Sequence, residues 1–124
     1  SGLMIVQYVA AALISELHLL SNPVSISNVP VSLGKEDHVS MGATSTFRSM
    51  QSSVLLAQVL ANEFVCSSEA LRRTELDAGL GVRATTAWVN SQVPALTSDR
   101  AMSKECMKLA QALLSGGLSE TLGE

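Results

Sequence analysis

The chain has 124 residues, 47% of them hydrophobic and only 15% charged, with a net charge of -3. A typical soluble domain carries about 25% charged residues, so this one has more apolar surface than a single small core easily hides. Its eight Lys and Arg are scattered and aromatics make up 3%, which excludes the basic, aromatic-studded face that tracks a nucleic-acid backbone.

The scarcity of aromatic residues leaves Leu, Val, Ala and Met as the apolar stock, a composition suited to helix-on-helix packing. The predicted class is all-α, a bundle of long helices in one region spanning residues 1–124. Leu3, Val6, Ala10, Leu13, Leu17 and Leu20 recur at spacings of three and four, predicting a first helix over about 2–20 that ends at Asn22 and Pro23. Ile5, Val9, Ala12 and Leu19 cover its other faces, as in a helix enclosed by neighbours. The uncharged run Ser1 to Ser15 lacks a basic flank and falls short of the roughly 20 apolar residues of a span, so no membrane partner is expected. The pattern is already under way at Ser1 without an initiator Met or cap, and the chain is read as a fragment.

Residues 21–40 are rich in Ser, Asn, Pro and Gly, a connection long enough to be functional or mobile. A second periodic run, Phe47, Met50, Val54, Ala57, Ala61, Phe64, Ser68 and Leu71, predicts one helix over about 41–76, roughly 50 Å long at 1.5 Å per residue. Gly79 and Gly81 break it. Shorter helices are expected over 82–93, with Trp88 on the apolar face, and over 103–114, before Gly116 and Gly117. The tail from Leu118 is expected to fray.

Chemistry-bearing groups concentrate in Lys35, Glu36, Asp37 and His38, where the long connection meets the long helix. In an extended backbone Glu36 and His38 share a side and Asp37 turns away, so the two acids are not a paired-carboxylate site. Asp37 or Ser40 is a candidate cap for the long helix, and Glu36 a candidate catalytic or ligand-contacting carboxylate. His18 is read as a core or interface histidine, Cys66 as a small buried hydrophobe, and the five methionines as core filling. Cys66 and Cys106 form no CxxC and read as reduced thiols of a cytoplasmic protein. No metal-ligand cluster, P-loop or dinucleotide fingerprint is present in the sequence.

The segments SGLMIVQYVAAALISE, at residues 1–16, and EDHVSMG, at residues 36–42, resemble two stretches of the histidine ammonia-lyases, joined at similar spacing by a loop containing NPVSISNVPVS. The resemblance is close from Ser1 to about Glu75 and continues more loosely through LTSDRAMSKECMKLAQALL. It implies a mainly helical homotetramer that eliminates ammonia from an amino acid, here L-histidine to urocanate. The related alternatives are a tyrosine or phenylalanine lyase or aminomutase, or a non-catalytic helical oligomerisation module.

The family's electrophile is a methylidene-imidazolone built from an internal Ala-Ser-Gly, and this chain contains no such run, so the chain alone is expected to be inactive. Carried over residue by residue, the resemblance makes Glu36 the active-site Glu of the Glu-Asp-His motif, catalytic and substrate-binding, and Met4 a residue near the substrate side chain. Phenylalanine and tyrosine lyases more often carry an amide at the matching position, which favours histidine. Many members have Gln before that Glu; here it is Lys35, placed to pair with Glu36 or to reorder the loop.

Overall fold

A computed structural model describes residues 2–36, 38–75 and 77–123. Among the described residues five α-helices follow in order: α1 (Met4–Leu20), α2 (Gly42–Leu71), α3 (Leu80–Gln92), α4 (Ser103–Leu114) and α5 (Gly117–Leu122). The class is all-α, as composition and periodicity indicate.

α1 stops where the sequence signals a stop. The Ser21 N–H donates to Leu17 and His18 carbonyls, the Ser21 hydroxyl to His18 O at 2.7 Å, and the Asn22 amide to Leu19 O at 3.1 Å. Pro23 cannot continue the helix. α2 runs for 30 residues because no Gly or Pro interrupts it after Gly42. By length and composition alone α2 could cross a membrane, with a mean hydropathy of 1.3 over its most apolar window. In this fold it is the central helix, against which α1, α3 and α4 all pack.

The core lies on the C-terminal half of α2. Ala57, Ala61 and Val65 meet Val89 and Val93 from the α3 end and Leu109 and Ala110 of α4, with Leu3, Phe64, Trp88, Met102, Cys106 and Leu113 packed around them. Small residues on α2 let the neighbouring helices approach closely, and the larger side chains of α4 fill the gap. Gly116, at φ +84°, turns α4 into α5, and a Cβ on Gly117 would lie 3.1 Å from Ala112 O and 3.5 Å from the Trp88 ring.

Several expectations are corrected. α2 ends at Leu71 rather than near residue 76, and α3 begins at Leu80, taking Gly81 into its first turn. The tail from residue 117 is helical, with its start fixed by the left-handed Gly116 rather than frayed. α1 is not enclosed within this chain: Val6 is its one buried residue among those described, whereas Met4, Ile5, Tyr8, Val9, Ile14 and Leu19 are exposed. Met4, Met50 and Met107 are likewise exposed rather than core filling, and His18 is exposed on the last turn of α1. Periodicity identifies which face is apolar; it does not say whether the cover comes from the same chain.

Candidate functional site

The connection between α1 and α2 is a folded loop, not a free strand of coil. Residues 24–27 make a 3-10 turn, and the Asn28 side chain then bridges both main-chain groups of Val39, donating to its carbonyl and accepting its N–H at 3.1 Å. At the far end the Arg48 guanidinium donates to Asn22 O at 2.7 Å, fastening α2 to the end of α1.

Inside that frame Val31 and Glu36 form an isolated antiparallel bridge. The Val31 N–H donates to Glu36 O at 2.9 Å and the Glu36 N–H to Val31 O at 3.3 Å. The chain reverses between them through three consecutive left-handed residues, Ser32 (φ 54°), Leu33 (φ 58°) and Gly34 (φ 78°). Only Gly34 adopts that conformation without a Cβ penalty; Ser32 and Leu33 are held there by the bridge and by the Gly34 N–H bond to Val31 O at 3.1 Å. Leu33 is fully exposed at the tip.

Glu36 is therefore presented on a closed turn, its main chain fixed and its carboxylate exposed. Among the described residues Lys35 makes no ion pair with Glu36, and His38 is exposed two residues on. Asp37, one of the two candidate caps, lies outside the described residues. Ser40, the other, is corrected: the N-cap position is Met41, with no side-chain cap, and the Ser40 hydroxyl accepts the Gly42 N–H only at 3.4 Å.

Met4 begins α1 and is 56% exposed. It shares no hydrogen bond or cavity wall with Glu36, and the 16 residue steps from Met4 to Leu20 put roughly 24 Å of helix between it and the loop. Among the described residues no group of three His, Cys, Asp or Glu could hold a metal.

Burial raises the Cys66 thiol above its ordinary value. Cys106 is raised by burial first, then by the negative charge of Glu105 and by Cys66, against a backbone hydrogen bond that lowers it. Both are free thiols, and Cys66 is half-buried where a small buried hydrophobe is expected.

Two polar features were not legible as sites from the sequence. Glu69, 8% exposed, accepts the Arg72 guanidinium at 2.6 Å and the Leu96 N–H at 2.9 Å. Arg72 also donates to the Asn90 side chain, so the cluster pins the segment after α3 to α2. Asn62, 6% exposed, has an amide nitrogen with no partner among the described residues. The available signal is positional: Asn62 and Glu69 stand a heptad apart on the stripe that otherwise carries Ala61, Val65 and Ser68.

A methylidene-imidazolone does not fit the residues of this chain. Ser115 and Gly116 follow Leu114 instead of Ala, and Gly116 is committed to the α4–α5 turn.

The family described as aromatic amino acid lyase matches residues 1–91. The chain is similar to the histidine ammonia-lyase of Deinococcus radiodurans, at 42% identity over 118 residues, covering 95% of this chain and 22% of that protein. The histidine ammonia-lyase of Gloeobacter violaceus is 37% identical over 123 residues, covering 98% and 24%. Among solved structures, the histidine ammonia-lyase from Trypanosoma cruzi superposes with a TM-score of 0.89 at 27% identity, over 99% of this chain and 24% of its own. The tyrosine aminomutase from Streptomyces globisporus gives a TM-score of 0.87 at 28% identity, over 94% and 22%. The chain thus spans between 22% and 24% of the length of these relatives.

Proposed function

Since this chain belongs to the aromatic amino acid lyase family, we propose that it forms one wall of the active site of an enzyme that eliminates ammonia from L-histidine to give urocanate. The observation that carries this reading is the 42% identity, over 95% of the chain, to a protein named histidine ammonia-lyase.

The chain's own contribution is the carboxylate of Glu36. Held by the Val31 bridge and free of Lys35, it accepts a hydrogen bond from the substrate imidazole or takes a proton as the amine departs. Met4 supplies an apolar contact to the substrate side chain. The methylidene-imidazolone electrophile belongs to residues outside this chain.

The proposal places Met4 and Glu36 in the active site of a homotetramer. The exposed apolar residues of α1 and of the first half of α2, including Tyr8, Val9, Phe47, Met50 and Val54, support that assembly. We place the enzyme in the cytoplasm, where Cys66 and Cys106 stay reduced.

A second reading, an aminomutase that returns the amine to the neighbouring carbon, is favoured by the likeness to the tyrosine aminomutase. Incubating the enzyme that contains this chain with L-histidine and following the ultraviolet absorbance of urocanate tests the first reading. A rising signal supports it. No signal, with the electrophile verified by mass, refutes it, and β-tyrosine formed from L-tyrosine establishes the second.

A further inference from the structure

The loop that presents Glu36 is fastened at two points that share one antiparallel register. Val31 bridges Glu36, while Asn28, three residues before Val31, meets Val39, three residues after Glu36. The outer contact is made by a side chain instead of a strand. A primary amide carries both an acceptor and a donor. The Asn28 Oδ1 accepts the Val39 N–H at 3.1 Å and its Nδ2 donates to the Val39 carbonyl, as a facing peptide group would.

The two fastenings are unequal. The inner bridge is closed against strain, because Ser32 and Leu33 sit at φ 54° and 58° and regain ordinary backbone if it opens. Val31 and Glu36 are exposed, so water competes for both of their main-chain bonds. Asn28 and Val39 are half-buried, and among the described residues from 25 to 40 they alone are shielded from solvent. A hydrogen bond is stronger where water is excluded. The outer pair is also tied to rigid elements: Asn28 follows the 3-10 turn at 24–27, and Val39 lies three residues before the start of α2. The strained turn stays shut because the pair behind it is anchored.

We infer that Asn28 is a positioning residue for the Glu36 carboxylate, acting through the main chain on either side of the turn and not on the substrate itself. The inference rests on the proposed role of Glu36 in the reaction.

Two measurements test it. In this chain, Asn28→Ala is expected to quicken exchange of the Val31 amide hydrogen, which is bonded to Glu36 O, at least about fivefold, although neither bridge residue is altered. Amides in the centre of α2 keep their protection. In the enzyme that contains this chain, Asn28→Ala is expected to lower kcat about tenfold and to leave KM within about twofold. In a Glu36→Gln background the same substitution is expected to cost less than about twofold, since no carboxylate is left to position. An unchanged Val31 rate, or an equal loss of kcat in the two backgrounds, overturns the inference. Loss of protection throughout α2 overturns it as well, because Asn28 would then support the whole fold. Exchange does not depend on turnover. A quickened Val31 with no urocanate from L-histidine upholds the fastening and refutes the histidine reading, whereas urocanate with Val31 unchanged does the reverse.

Discussion

The Glu69 carboxylate accepts the main-chain N–H of Leu96, 27 residues further along, at 2.9 Å. It also holds the Arg72 guanidinium at 2.6 Å, so one nearly buried side chain sets the path from α3 to α4. Glu69→Ala removes a charged acceptor from two donors, and the expected loss is about 2–3 kcal/mol in urea unfolding. Glu69→Gln keeps one acceptor and loses less. A loss below about 1 kcal/mol for Glu69→Ala would show that water replaces the carboxylate.

Asn28 should act locally. Asn28→Ala unpairs both main-chain groups of Val39, and exchange of the Val39 amide hydrogen is expected to quicken at least about tenfold, while amides in the centre of α2 keep their protection. Equal quickening throughout α2 would mean that the loop and the helix open as one unit.

Leu33 sits at φ 58° with its side chain in solvent, so its conformation costs energy that no contact within this chain returns. The left-handed penalty is about 1–2 kcal/mol for a residue with a Cβ, and Asn tolerates the region better. Leu33→Asn is expected to raise the unfolding free energy of the chain by about 0.5–1 kcal/mol. A fall instead would reveal packing of the Leu33 side chain.

In the enzyme that contains this chain, Glu36→Gln is expected to lower kcat about a hundredfold, the size typical of losing a positioned acid or base, with the fold unchanged by circular dichroism. An unchanged kcat would remove Glu36 from the chemistry.

The raised thiols make stability pH-dependent in a definite direction. The folded chain keeps its Cys106 and Cys66 protons to higher pH than the unfolded chain, because burial disfavours the thiolates. Their contribution is complete below the ordinary thiol value of 9.0 and is lost as pH rises through the raised folded values. Melting temperature is therefore expected to fall above pH 9.0 more steeply for this chain than for a Cys66→Ala/Cys106→Ala variant. Parallel slopes for the two proteins would contradict this.

How much of this was readable beforehand follows from which forces are local. The stops at Asn22 and Pro23, the uninterrupted run after Gly42 and the turn at Gly116 are backbone signals, and they place most helix ends within a few residues. The Glu-Asp-His motif draws attention to Glu36, but the left-handed turn that presents it is invisible, since Ser32 and Leu33 are held against their own preferences by the Val31 bridge. Asn62 and Glu69 escape notice for a related reason. Glu69 depends on Leu96 in the segment between α3 and α4, and Asn62 is buried by packing against other helices, which no local pattern encodes. The exposure of α1 has a different origin, because an apolar face looks the same whether its cover is intramolecular or not.

The unbroken 30-residue α2 packs against α1 and, through Ala57, Ala61 and Val65 of its C-terminal half, carries the α3 and α4 core. Inserting or deleting a single residue between those stretches rotates one set of contacts about 100° relative to the other. Length variation among relatives should therefore collect in the connections at 21–41 and 93–102 and be absent from 42–71. Of all parts of this chain, α2 is a ruler whose graduations cannot be renumbered.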